Sequence, residues 1–487
     1  MKCSLERLTC LIILLTCLLL LSGCDSQQES YTWPNDLTAP AAKSTDAIPP
    51  VFANSEDSEP AVRAVVDSGN LPCGVQYTLY RNGELLLTDG VLSDRLSEIS
   101  VYKNNSTLIT AISFGDNLTH IGNETCMKLE NVKELSFGKD VVSIGAWAFG
   151  DLTALSSVVF PENLTLIGDH SFAGCSSLRK LSFPANAQLR IGESAFANCT
   201  NLIEIQFPSS GEIMVEDLAF AQCTSLNTIQ LPSSVRSIGK SCFQGCTALS
   251  SATMDNENMI LGASCFQGCT ALNSVDMGNG VAELGVACFY GCSALNSVNM
   301  GNGPVIIGDN CFQGCSSLSS IVLGNAVKQM GKWLFADCAR LRSVTFLCER
   351  ISDEVLWGCS SLTKVTLANG VTHIGQSAFS GCENLERVEI PEGVTSIGAY
   401  AFEGCISMPS IILPSTVTDI GYAFLKDCEA CVRDVYYRGT KKQWREIKTE
   451  TAQGKEDDLF DRSQEGNYLY QFKCGDLKFT VKTDFQN

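Results

Sequence analysis

Ile397-Gly398-Ala399-Tyr400-Ala401-Phe402-Glu403-Gly404-Cys405, followed by Met408 and by Ile411-Ile412-Leu413-Pro414, is one unit of a pattern that runs through most of the chain. Its opening step, an apolar residue followed by Gly, recurs at Ile121, Ile144, Ile167, Ile191, Ile238, Leu261, Leu284, Ile307, Met330, Ile374, Ile397 and Ile420, usually at an interval of 23 residues. Val215, followed by Glu216, and Ile351, followed by Ser352 after a shortened unit, keep the phase and bring the count to fourteen. Counted from the lead residue, the fifth position is Phe in eleven units (Phe149 to Phe402), the eighth is Cys in twelve, and the eleventh is Leu or a close substitute. The fourteenth and sixteenth are apolar around a mostly polar fifteenth, which is the alternation of a half-buried strand. Pro161, Pro184, Pro208, Pro232, Pro391 and Pro414 stand at the seventeenth position, where proline closes a strand without removing a ladder hydrogen bond from its middle.

A repeat of this length decides the fold class. Each unit reads as one strand and one apolar turn, and no unit can bury its inner face alone, so the units stack into a solenoid with a parallel strand face. Fourteen coils at a strand spacing of roughly 4.8 Å give an array on the order of 65 Å long. The expected organisation is a signal segment over 1–23, a tether over 24–61, an N-terminal cap over 62–118, the solenoid over 119–430 and a C-terminal cap over 431–487. The first cap is expected from Tyr77-Thr78-Leu79-Tyr80 and Leu85-Leu86-Leu87 on either side of Asn82-Gly83, a hairpin pattern. The second is expected from Val435-Tyr436-Tyr437, from Thr440 and Gln443 as a capping box ahead of Trp444 and Ile447, and from the alternating run Leu477, Phe479, Val481.

These in-phase columns resemble the repeat of BspA-like, Treponema-type leucine-rich-repeat surface proteins, and the resemblance covers about two-thirds of the chain. It implies a leucine-rich-repeat solenoid, and a role of the adhesion or host-interaction class, since some members are reported to bind extracellular-matrix proteins. It implies no particular ligand. The units from Ser241 to Leu318 depart toward Cys-Phe-Gln-Gly-Cys and Met-Gly-Asn-Gly, a pattern of duplication within this chain.

The N-terminal segment has Lys2 and Arg7 ahead of an apolar run from Leu8 to Leu21, short for a membrane span. The run ends at Leu21-Ser22-Gly23-Cys24, which resembles the lipobox of bacterial lipoproteins. Cys24 is then the expected lipid-attachment residue, and the lipid the expected link to a membrane; an ordinary cleaved signal or a short uncleaved anchor are the alternatives. From Asp25 to about Pro60 the composition is Ser, Thr, Asp, Glu, Pro and Ala without an apolar period, which reads as an extended tether. The formal net charge is -19, and there is no Lys/Arg run on one face, so nucleic acid is excluded as an expected partner.

Twenty-five cysteines invite a disulfide or metal reading, and Cys242/Cys246, Cys265/Cys269, Cys288/Cys292 and Cys311/Cys315 look like ligand pairs. The columns argue for packing instead. Leu129 and Leu152 take the place of the Cys column in the first two coils, Ala or Ser replaces the partner column elsewhere, and no His closes a zinc-like spacing. Occasional disulfides between stacked coils stay open as an alternative in an oxidising setting. His120 and His373 each precede a lead Ile, His170 lies within a coil, and no Ser or Cys stands apart from the repeat as a nucleophile. No cofactor, metal or catalytic residue is expected.

If the fourteenth and sixteenth positions face the core, the thirteenth and fifteenth face outward. The thirteenth is polar throughout, and the fifteenth includes Gln206, Gln230, Asp276, Asn299 and Glu389; with Lys364 and Arg387 from the thirteenth, these form the expected binding strip. Loops or caps are the alternative location. The expected function is an exported, lipid-anchored, surface-exposed binding module for a protein or glycan of a host or neighbouring cell. The alternative is a structural or scaffold lipoprotein of the envelope without a soluble ligand.

Overall fold

The computed structural model describes residues 64–449, except 186–187, 256–257, 279, 302–304, 429–431 and 433, together with the backbone of the strands Tyr470–Cys474 and Leu477–Lys482. It is a parallel β-solenoid of leucine-rich-repeat type with about 23 residues per coil and about 15 turns. The first strand of each coil occupies the thirteenth to sixteenth positions, and successive coils pair in register: Thr228, Ser251, Ser274 and Ser297 are cross-strand partners in turn.

Each coil also has a second strand, where one strand per coil was expected. It ends on the lead residue, as in Ser143–Ile144, Gln188–Ile191 and Val235–Ile238, and it builds a second parallel ladder in which Ile144, Ile167 and Ile191 are partners. These strands run for only two to four residues. An alternation that short is below what a period-two pattern can show in one sequence.

The third side of the coil is a turn, yet it too is laddered. Trp147 N donates to Asp169 O at 2.9 Å, Phe149 N to Ser171 O at 2.7 Å and Asp151 N to Ala173 O at 2.7 Å, so alternate amides of one turn reach the next. This aims the amides along the solenoid and puts two residues per coil at positive φ, Trp147 and Asp151 in the first such case. The Gly after the lead residue answers a different need, since a Cβ on Gly262 would sit 2.5 Å from the carbonyl carbon of Gly239 in the coil before. Stacked coils touch backbone to backbone there.

Inside, the Phe column is fully buried and its rings stack from coil to coil at centroid distances of 5.0 Å (Phe149–Phe172) to 5.6 Å (Phe220–Phe243). Burying each such side chain is worth roughly 1.5–3 kcal/mol. The Cys column, Cys175 through Cys428, is buried beside it. Each thiol also has a backbone partner: Cys199 Sγ donates to Phe172 O at 3.3 Å, Cys292 Sγ to Phe266 O at 3.1 Å and Cys428 Sγ to Phe402 O at 3.0 Å. A small apolar side chain with a weak donor suits a core site facing a turn carbonyl.

At the start, Gln76–Tyr80 and Glu84–Thr88 form an antiparallel hairpin around Asn82-Gly83, and Glu84–Thr88 then pairs in parallel with Ala111–Phe114. At the other end, Asp434–Tyr437 extends the first ladder, and Thr440 and Gln443 make the reciprocal capping box of the helix Lys441–Glu446. Trp444 of that helix is buried with its ring 5.2 Å from that of Tyr437. Leu477–Lys482 adds a further parallel strand to Asp434–Tyr437, and Tyr470–Cys474 returns antiparallel along it.

Candidate binding surface

The outer face of the first ladder follows directly from strand geometry. Thr228–Leu231 and Lys364–Leu367 both alternate exposed and buried, which sends the thirteenth and fifteenth positions outward. Gln206, Gln230, Asp276, Asn299, Lys364, Arg387 and Glu389 are all exposed on this face. They form a column along the coils rather than one cluster, and the structure gathers them into separate groups. Lys180 and Glu204 form an ion pair at 2.6 Å, and Gln206 donates to the same Glu204. Asn299 Nδ2 donates to Asp276 Oδ1 at 3.0 Å. Arg387 pairs with Glu389, with Lys364 as its cross-strand neighbour.

Two shallow grooves lie on this face. One of about 460 Å³ is lined by Lys364, Arg387 and Glu389, and one of about 580 Å³ includes Asn299. The face also exposes Val159 and Val322, apolar breaks at the fifteenth position, at 76% and 54%.

Other candidates from the sequence are placed as follows. Cys24 lies outside the described residues. The described cysteines carry free thiols, and burial pushes Cys246, Cys292 and Cys338 up to about 12. No group of three or more His, Cys, Asp or Glu among the described residues is arranged to hold a metal ion. His170 stacks on Trp147 at 4.4 Å, and His120 is exposed with its Nδ1 2.8 Å from Thr119 Oγ1. His373 is half-buried, and burial followed by the Arg350 guanidinium lowers its pKa. No helix among the described residues is long and apolar enough to cross a membrane.

Sequence reasoning missed two features. An Asx ladder stands two residues after several lead positions: Asp169, Asp217, Asp309 and Asp353 each accept from the backbone N–H at the equivalent position of the next coil, as with Asp309 Oδ1 and Lys332 N at 2.8 Å. Its signal was present as Asp in a fixed repeat position. The other is a set of exposed aromatics on the turn side, Tyr290, Trp333 and Trp357, which lie in no conspicuous motif.

A family profile described as BspA type leucine rich repeat region matches residues 97–217, 190–315, 243–352 and 305–432. The chain belongs to the BspA-type leucine-rich-repeat family. Members of this family are typically surface proteins used in binding, and its solenoid fold is typically non-catalytic. Leucine-rich-repeat proteins commonly bind protein partners. Among solved structures, a leucine-rich repeat protein from Bacteroides ovatus shares 24% identity with a TM-score of 0.55, covering 79% of this chain and 97% of its own. A leucine rich cell surface protein from Faecalibacterium prausnitzii shares 21% identity with a TM-score of 0.34, covering 82% of this chain and 100% of its own. The first supports the fold. No match is found among curated proteins.

Proposed function

We propose that this BspA-type protein is exported, lipid-anchored through Cys24 and surface-exposed, and that it binds a protein or glycan of a host or neighbouring cell through the outer face of its first ladder. It acts by binding and not by catalysis. The observation that carries the reading is the column of exposed polar side chains held at regular coil spacing on a rigid parallel sheet, with grooves at Asn299 and at Lys364, Arg387 and Glu389. Such a face offers repeated, pre-positioned hydrogen-bonding groups at low ordering cost. The terminal hairpin and the helix Lys441–Glu446 act as caps in this reading, closing the ends of the stack.

The test is a protein and glycan array probed with the full chain, followed by two triple substitutions. One replaces Gln230, Asp276 and Asn299 with Ala, the other Lys364, Arg387 and Glu389. Loss of binding in either triple supports the strip. Unchanged affinity in both, with loss on deleting the hairpin, moves the site to the cap. Protease treatment of intact cells that releases no solenoid peptides, or an unmodified Cys24 in the intact mass of the mature chain, removes the exposed or anchored part of the reading.

A further inference from the structure

The coil from Met330 to Ile351 advances only 21 residues, and the shortening falls in the loop between Phe346 and Arg350. The first ladder runs through this coil unbroken, Ser343–Phe346 pairing with Ser320–Leu323 before it and Lys364–Leu367 after it. The second ladder does not. Val327–Met330 ends a sheet of eleven strands, and Arg350–Ile351 begins one of five. A two-residue shorter loop still lets the first strand keep register, but it misplaces the short second strand. The break opens a cleft of about 690 Å³ on the second side of the coil.

The walls of this cleft are polar. Val327, Ile351 and Ile374 border it, but at 7%, 2% and 2% exposure they belong to the core. What the cleft offers to a ligand is Lys328, Gln329, Arg350 and Gln376, all exposed, with His373 and Ser352 half-exposed; the Ser352 hydroxyl donates to Gly331 O at 2.7 Å and is left as an acceptor. Asp309 and Asp353 are engaged: Asp309 accepts from Lys332 N, and Asp353 accepts from Gln376 N and pairs with Lys332 Nζ at 3.2 Å. Glu349 is the remaining acid on the wall. Among the described residues neither Lys328 nor Arg350 has an ion-pair partner, in a chain whose net charge is -19.

We propose that this cleft binds an acidic saccharide, with Arg350 and Lys328 receiving its carboxylate or sulfate group and Gln329, Ser352 and Gln376 serving its hydroxyls. Charge complementarity selects the acid, because two cations without partners stand in an otherwise acidic molecule. The wall is mainly polar, with Met330 its one half-exposed large apolar side chain, which favours a polyhydroxylated ligand over a peptide, whose binding energy concentrates in desolvated apolar or aromatic pockets. The turns of the coils on either side of the break expose two indoles. Trp333 and Trp357 are 38% and 46% exposed in the same two coils, and Trp333 holds a left-handed backbone, φ 51°, that bulky residues rarely adopt. Exposed indoles provide an amphipathic face for a sugar ring.

The experiment measures binding of the full chain to polygalacturonate, to dextran sulfate and to unsubstituted dextran, with thermal unfolding as the check on folding. At least one anionic polymer should bind and dextran should not, and the polymer bound distinguishes carboxylate from sulfate. The double variant Lys328→Ala/Arg350→Ala should weaken binding by at least about tenfold. The double variant Lys103→Ala/Lys128→Ala, at exposed cations outside both the cleft and the outer face of the first ladder, should leave it unchanged. Binding of neither anionic polymer, equal binding of dextran, equal loss in both double variants, or full retention in Lys328→Ala/Arg350→Ala would each overturn the assignment.

Discussion

The coils before Ile238 and those from Ile238 to Met330 share one backbone plan but fill it differently. In the earlier coils the sixteenth position is Phe in four (Phe137, Phe160, Phe183, Phe207) and Leu231 in the last, and the fourth is a small residue (Thr125, Ala148, Ser171, Ala195, Ala219). The two Phe columns interlock there: Phe196 stacks on Phe172 and Phe220 at 5.2 and 5.4 Å and meets Phe160 and Phe183 edge-on at 6.3 and 6.0 Å. In the four later coils the sixteenth position becomes Met254, Met277, Met300 and Leu323 and the fourth becomes Cys242, Cys265, Cys288 and Cys311. A large residue with a small one is exchanged for two of middle size, which keeps the coil filled. The later core gives up aromatic cross-contacts: among the described residues, the ring neighbours of Phe289 are the stacked Phe266 and Phe312, at 5.2 and 5.3 Å. One fold therefore accommodates two packing solutions around one central Phe ladder, Phe149 to Phe335.

The largest expected effect tests that contrast at its centre. Phe196→Ala should destabilise by about 5 kcal/mol and Phe289→Ala by about 3 kcal/mol, the difference arising from the lost edge-on neighbours. Urea denaturation of both variants checks it, and an equal or reversed order breaks the comparison.

Alkaline pH should separate the two regions next. Burial holds Cys246 and Cys292 up to about 12, while the same thiols ionise near 9 once unfolded. A raised folded pKa stabilises below pH 9, and that stability is lost as pH rises from 9 toward 12. The coils from Ile238 to Met330 carry eight buried thiols in two columns, against Cys126, Cys175, Cys199 and Cys223 in the Phe-rich coils. At pH 10, alkylation mapped by mass spectrometry should mark the eight thiols first. Labelling of Cys175 ahead of Cys292 would count against the regional account.

A smaller effect isolates the thiol's second role. Cys292→Ala should cost on the order of 1–2 kcal/mol, because it removes buried volume and leaves Phe266 O without its thiol donor. Cys292→Ser keeps a donor, so thermal unfolding should then show whether the hydrogen bond or the volume matters more. Smallest of all, Lys364→Ala should stay within about 0.5 kcal/mol of the parent, since its side chain is exposed on the outer face. A larger loss in thermal unfolding would mean that the strip is part of the packing.

Much of this was legible in the sequence because a repeat reports each position many times. Phe at the fifth, Cys at the eighth and apolar residues at the fourteenth and sixteenth positions identify the buried columns, and the alternation that buries them also sends Gln230, Asp276 and Lys364 outward. The Asn82-Gly83 hairpin and the Thr440/Gln443 capping box were readable for a related reason, since each is a local motif with its own chemistry. The second strand of each coil escaped notice because two to four residues carry too little alternation, and its existence depends on the coil next door. Only stacking reveals why the Gly after the lead residue has no side chain, and why a buried Cys faces a Phe carbonyl one coil away. The cleft at Arg350 belongs to the same class: the shortened unit is visible in the sequence, but which ladder breaks is decided by how a shorter loop seats two strands at once. Sequence periodicity determined what is buried, because burial recurs with the repeat; the tertiary structure decided what meets what, because contacts between coils join residues that lie a full repeat apart.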